Sequence, residues 1–290
     1  MSPATRLLAR LWPLAPVAAC AFLVWSAHVR IRRVEYVSGL EGRSGAVPDA
    51  RSATGYSGGQ RELILPGRSE AAFHWIAETQ QMLALGTPHV RTIDYENAPF
   101  GRDVTTTSPV RWWLGFLAVL RQWTSGRPAG ICVEEAALYS EPVLHILLVL
   151  AASAVALRRF GGLSAALVAV GLVTLHPLAS AFPAGIPAAR GLSCACALGS
   201  VLALLSGAAP SRGAGARPLP WFIASAVLGG IGIWVSARAA VPFVAGIAAG
   251  GALAAVLGRG SGLGSLPWRA WGLTGALTVL AACLAEDPPG

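Results

Sequence analysis

The chain has 290 residues, 54% of them hydrophobic and 12% charged, with 34 glycines and a mean hydropathy of +0.58. Average soluble domains carry roughly 25% charged residues, so this composition excludes an ordinary soluble globule and places the chain in a membrane. The net charge is +8 and all 22 basic residues are Arg. That bias fits either bidentate anion binding or a GC-rich genome whose codons favour Arg, Ala and Gly; no nucleic-acid motif accompanies it, so nucleic acid is not an expected partner.

In chain order, the first apolar run is Leu11 to Val29, preceded by Arg6 and Arg10. Its 19 residues exceed the 7–15 of a signal-peptide core and no small-x-small site precedes Arg30, so it reads as a retained signal anchor. Residues 30–141 form the one sizeable polar region. Within it, residues 38–61 are rich in Gly, Ser and Arg and read as a flexible connection. Ser69 as N-cap, the apolar positions Phe73, Ile76, Ala77 and Leu83, and Gly86 with Pro88 as a stop predict an amphipathic helix of about four turns. A second helix begins near Pro109 and carries Trp112, Trp113, Phe116, Leu117 and Leu120 between Arg111 and Arg121. Its apolar stretch of about 12 residues is too short to span, and paired Trp with flanking Arg suits the membrane interface.

Further apolar runs follow at about 142–157, 162–182, 191–209, 220–237, 240–257 and 270–285. The expected fold is therefore all-α: a polytopic helical membrane protein of about seven spans, divided into a signal anchor (1–29), an external loop with interfacial helices (30–141) and a bundle (142–290). Arginines between the later spans alternate two, one, two, one, two: Arg158 and Arg159, Arg190, Arg212 and Arg217, Arg238, Arg259 and Arg269. Putting the two-Arg loops inside leaves the amino terminus cytoplasmic, and residues 30–141 and the tail Glu286-Asp287 on the external or periplasmic side of a bacterial inner membrane. Arg30, Arg32 and Arg33, on the outer flank of the first span, run against this orientation.

The cysteines form no disulfide framework, because Cys20, Cys194, Cys196 and Cys283 sit in apolar runs and only Cys132 in a polar one. Cys194 and Cys196 read as small buried thiols rather than metal ligands, since residues two apart on a helix do not share a face. His176 before Pro177 reads as a helix-packing residue at a kink. His145 is expected to meet interfacial water. His74 and His89, near the ends of the first amphipathic helix, are available to an acid cluster.

Acids are absent between Glu141 and Glu286, and twelve of the 14 lie from Glu35 to Glu141. Carboxylate chemistry must therefore come from the polar region. The segment "RTIDYENAPFGRDVTTTSPVRWWL" gathers Asp94, Glu96 and Asp103 with Arg91 and Arg102 between the two interfacial helices, where a headgroup emerging from the bilayer would meet them. The plainer reading is a solvated loop of mutually paired charges.

This segment resembles the motif of the GT-C membrane glycosyltransferases, and is similar to that of bacterial relatives of the oligosaccharyltransferase catalytic subunit. Those relatives carry "N/D-D-Y-D/E-N-A-P-x-G-R" followed by "S-P-x-R-W-W-L". Here the corresponding residues are Ile93 to Arg102 and Ser108 to Leu114. The resemblance covers residues 1 to about 210. It implies transfer of a sugar from a polyprenyl phosphate or diphosphate on the outer face to an acceptor, with the lipid-linked sugar and membrane lipids as partners. Asp94 would be the acid at the reaction centre, either a general base or a ligand for a divalent metal, Mg or Mn, that neutralises the leaving phosphate. Glu96 and Asp103 would support it, and Arg91, Arg102 and Arg111 would bind the donor, a bidentate fork on the lipid phosphate being the natural geometry. One departure stands out: where the relatives have "G-R-P-D-H-H-G-L", this chain has Gly185-Ile186-Pro187-Ala188-Ala189-Arg190-Gly191-Leu192, replacing Asp-His-His with Ala-Ala-Arg. The alternative to an enzyme is a binding or scaffolding membrane protein that kept the fold and lost turnover. A transporter fits less well, because the spans lack acids.

Overall fold

The structure, a computed structural model, describes residues 12–39, 47–66, 70–93, 99–209, 217–257 and 266–286. Among these are ten α-helices and one two-stranded hairpin. Their contacts divide the chain into two units: a polar unit of Ala21–His145 with Phe182–Ala189, and an apolar unit of Met1–Cys20, Ile146–Ala181 and Arg190–Gly290.

The polar unit is built from the end of α1 (Leu14–Ser38), α2 (Glu70–Leu85), the hairpin β1 (Thr92–Ile93) and β2 (Arg102–Asp103), α3 (Pro109–Ser125) and the start of α4 (Ala129–Phe160). Its core joins Ile31 and Val34 of α1, Leu63 and Leu65, Ala72 and Ile76 of α2, Leu114 and Ala118 of α3, and Cys132, Val133, Ala136, Ala137 and Leu138 of α4. Proline in the first turn opens α3, and Gly126 closes it in the left-handed region at φ 66°. Two of the sequence expectations change here. α2 is no surface helix: every residue from Trp75 to Gln80 is buried, so it runs through the middle of the unit. Residues 47–60, expected as part of a flexible connection, fold back through a bridge between Pro48 and Tyr56, with Thr54 and Tyr56 buried; residues 40–46 lie outside the described part. The return is so close that a Cβ on Gly130 would stand 2.2 Å from the carbonyl carbon of Thr54.

The apolar unit contains α5 (Gly162–Thr174), α6 (His176–Ala179), α7 (Ala189–Ala208), α8 (Leu219–Val235), α9 (Ala237–Leu257) and α10 (Trp268–Glu286). Small residues let α8 and α10 approach closely: a Cβ on Gly230 would meet Thr278 Cβ at 2.7 Å. Ser225 is buried between them, accepting the Trp271 indole N–H at 3.1 Å and sharing a hydroxyl bond of 3.0 Å with Ser200 of α7. On the other side of α10, Leu273, Leu277, Leu280 and Leu284 form an exposed stripe at helical spacing, which water would not favour and lipid would.

Among the described residues five helices are long and apolar enough to cross a membrane: α1, α4, α7, α9 and α10. The runs expected at 162–182 and 220–237 form shorter apolar helices. The first is cut because Pro177 has no N–H to continue the ladder and its ring crowds the carbonyl four residues back; α5 stops at Thr174, Leu175 turns extended, and α6 holds only four residues. The second ends where Ser236 takes an extended conformation at φ −160°. The domain limits expected at 29/30 and 141/142 fall inside α1 and α4, which run straight through. At 1.5 Å per residue the 32-residue α4 is about 48 Å long, well beyond a hydrocarbon core of about 30 Å.

Candidate functional site: a hairpin on a buried glutamate

The acidic motif lies on a hairpin. β1 and β2 pair antiparallel with Thr92 opposite Asp103 and Ile93 opposite Arg102, and Val104 N–H donates to Arg91 O at 2.8 Å. Ile93 is fully buried against Met82 of α2 and Val90, which seats one strand. The connecting residues 94–98, and with them Asp94 and Glu96, lie outside the described part of the chain. Asp103 and Arg91 are exposed.

The other strand is held by charge. Glu78 of α2, with no exposed surface, accepts from Arg102 Nη2 at 3.0 Å, from Arg111 Nη1 at 2.9 Å and from the Thr106 hydroxyl at 2.9 Å. Arg111 is 1% exposed; it also donates to Thr106 O at 3.1 Å and Ser108 Oγ at 3.0 Å. His74 Nδ1 lies 3.3 Å from Arg102 Nη2, and His89 Nδ1 lies 3.0 Å from Ser108 Oγ. One carboxylate thus faces two guanidiniums, Arg102 partly exposed and Arg111 buried with it, where an unpaired charge is costly. The network ties β2, the loop behind it and the first turn of α3 to α2.

Two of the arginines expected to bind the donor thus have partners inside the fold. Arg111 is buried and bonded inside the fold, and Arg102 is partnered by Glu78 and His74. Both position the motif from below. Glu78 itself was not singled out in the sequence; the available signal was the polar run Glu78-Thr79-Gln80 inside an otherwise apolar helix, which solvent exposure would also explain. Trp112 and Trp113, expected at the headgroups, are half-buried and donate their indole N–H groups to protein carbonyls, Pro88 O at 2.8 Å and Ser140 O at 3.3 Å. The open face of α3 is instead Phe116, Leu120 and Trp123, the last 79% exposed.

A second cluster surrounds the Ala-Ala-Arg departure. Pro142 sits inside α4, and its missing N–H frees the carbonyl of Leu138. Gly185 N–H fills that acceptor at 3.2 Å, from a backbone at φ 80° that glycine tolerates best. Ala188 N–H donates to Glu141 Oε1 at 3.2 Å, while Glu141 Oε2 is buried without a partner among the described residues. His145, expected at interfacial water, is buried and stacked on Phe182 with 4.4 Å between centroids.

Fold and clusters define a helical protein with helices long and apolar enough to cross a membrane and a polar unit organised around buried carboxylates. Comparisons with protein-family models, with curated proteins and with solved structures return no match.

Proposed function

We propose that this chain is a GT-C-like glycosyltransferase that moves a sugar from a polyprenyl phosphate or diphosphate donor to an acceptor, with Asp94 at the reaction centre and Glu96 and Asp103 beside it. The observation that supports this reading is the anchoring of the motif: both arginines flanking its second half are engaged by one buried glutamate. Buried ion pairs seldom improve stability over apolar packing, whereas holding a reactive loop within a fraction of an ångström requires such a rigid base. Arg91, exposed beside the hairpin, is the cation assigned to the lipid phosphate in this reading. A divalent ion, Mg or Mn, would be held through Asp94 and Glu96. Among the described residues no group of three or more His, Cys, Asp or Glu converges, and Asp103 is the described acid nearest the motif in sequence. Seven crossings, a cytoplasmic amino terminus and an external 30–141 region complete the proposal, resting on the Arg alternation.

The rival is a non-catalytic membrane binding protein. It is favoured by the loss of Asp-His-His, since the segment that carries it in the relatives is here attached through main-chain N–H groups.

The deciding experiment is sugar transfer from polyprenyl-linked donors by the reconstituted full chain. Asp94→Asn keeps shape and removes charge, and should lower turnover roughly 100-fold or more while donor affinity changes little. Transfer by Asp94→Asn at the wild-type rate, or no transfer by wild type from any such donor, hands the case to the rival.

A further inference from the structure

A cavity of about 680 Å³ opens in the polar unit, with Tyr56, Arg121, Arg127, Glu134, Glu135 and Tyr139 in its wall. That volume lies in the range of small-molecule sites. Its electrostatics have two poles on consecutive residues of α4. Glu134 is 3% exposed; its Oε2 accepts Leu63 N–H at 3.1 Å, and its Oε1 is buried with no partner among the described residues. Glu135 is shared by Arg121 Nε and Arg127 Nη1, each at 2.5 Å. One carboxylate against two guanidiniums leaves a net positive charge there, on side chains about half exposed to solvent.

The rest of the wall is compatible with a ligand that carries both signs. Arg32 and Glu35 face each other at 3.9 Å, and Glu62 completes the charged lining. Burial, then the carboxylates of Glu134, Glu62 and Glu135, push the Tyr56 phenol above its usual range, so it remains a neutral O–H donor. A second, apolar groove of about 280 Å³ runs past Leu117, Leu120 and Ala136 and shares Arg121, Glu135 and Tyr139 with the cavity. A molecule with a charged head and an apolar chain would fill both.

We propose that the cavity binds an amino-phosphate zwitterion, the chemistry of an ethanolamine phosphate headgroup, with its ammonium on Glu134 Oε1, its phosphate on Arg121 and Arg127, and an attached chain along the groove. A primary ammonium brings three N–H donors to the unfilled carboxylate oxygen, and phosphate accepts the guanidinium fork. Phosphate alone leaves Glu134 Oε1 unanswered, and an amine alone leaves the excess positive charge of Arg121 and Arg127 over Glu135 unbalanced. The adjoining groove favours a lipid as the source; a soluble amino-phosphate is the other. The proposal stands apart from sugar transfer and does not need it.

The test uses the full chain in detergent, titrated calorimetrically with O-phosphoethanolamine, phosphocholine and inorganic phosphate. In parallel, the chain in phosphatidylglycerol nanodiscs, with and without phosphatidylethanolamine, is stripped and its retained lipid read by mass spectrometry. Retention of phosphatidylethanolamine alone identifies a lipid headgroup, and binding of O-phosphoethanolamine identifies a soluble source as well. Phosphocholine, which has no N–H, should bind more weakly in either case. Glu134→Gln keeps an acceptor for Leu63 and should lose at least about tenfold in affinity; Arg127→Gln should do the same and decides the matter if Glu134→Gln does not fold. Arg51→Gln, exposed and outside the cavity, should match wild type. The proposal is overturned if neither source binds, if inorganic phosphate or phosphocholine binds as well as the primary amine, or if Arg127→Gln binds like wild type.

Discussion

Replacing Glu78 by Gln isolates what the buried network contributes. The substitution keeps the side-chain volume and one acceptor oxygen but removes the only carboxylate facing Arg111 among the described residues. Arg111 would keep its bonds to Thr106 O and Ser108 Oγ, yet its charge would stay buried without an opposite charge. Breaking such a pair costs about 3–5 kcal/mol, whereas the partly exposed Arg102 adds no more than about 1 kcal/mol. The loss should therefore fall near 3–5 kcal/mol and come almost entirely from Arg111. The assay is denaturant unfolding of the detergent-solubilised chain, followed by tryptophan fluorescence, with amide exchange at Val104 as a local probe of the hairpin. Exchange at Val104 should accelerate with the loss of stability. The paired change Glu78→Leu with Arg111→Leu should recover most of the stability, because apolar replacements of a whole buried pair are often neutral or better. A Glu78→Gln chain within about 1 kcal/mol of wild type, or a double variant worse than Glu78→Gln, would refute the reasoning.

Three other outcomes follow from the packing. Gly130→Ala should destabilise the polar unit by about 1–3 kcal/mol or more, since the clash is with backbone rather than a movable side chain; unchanged denaturant midpoints would mean the 47–60 segment does not close on α4 as described. Shallow lipid-attached quenchers should lose part of their effect on total fluorescence in Trp123→Phe and little in Trp112→Phe, and the opposite ranking would return the interfacial role to Trp112. Pro142→Ala restores a donor that competes for Leu138 O, so amide exchange at Gly185 should rise; equal protection in both chains would show that the carbonyl freed by Pro142 does not hold the segment.

Much of the helical plan was readable because lipid-facing helices announce themselves by composition. The starts and stops of α3, at Pro109 and Gly126, use chemistry visible in single residues. Span counting was less secure, since Pro177 and Ser236 decide by backbone conformation whether an apolar run stays one helix. The candidate site was half legible. Asp94, Glu96 and Asp103 stand out as acids in an acid-poor chain, but nothing local separates an arginine that meets a ligand from one that meets Glu78. That distinction depends on α2 lying beneath the hairpin, a long-range contact that periodicity does not encode. Burial of Trp75 to Gln80 around most of α2 was hidden for the same reason: a one-sided apolar pattern was expected, and Glu78, Thr79 and Gln80 are buried because they are bonded rather than because they are apolar.

The donor missing at Pro142 also bears on how this chain can change over generations. The segment from Phe182 to Ala189 is fastened by the amides of Gly185 and Ala188, and every amino acid but proline has an amide to offer. Side chains at 188, 189 and 190 are thus free to drift without moving the segment, so Ala-Ala-Arg need not mark a collapsed loop. The same independence makes the position a convenient place to graft chemistry: Ala188→Asp with Ala189→His should leave both main-chain attachments intact, since neither uses a side chain of the segment.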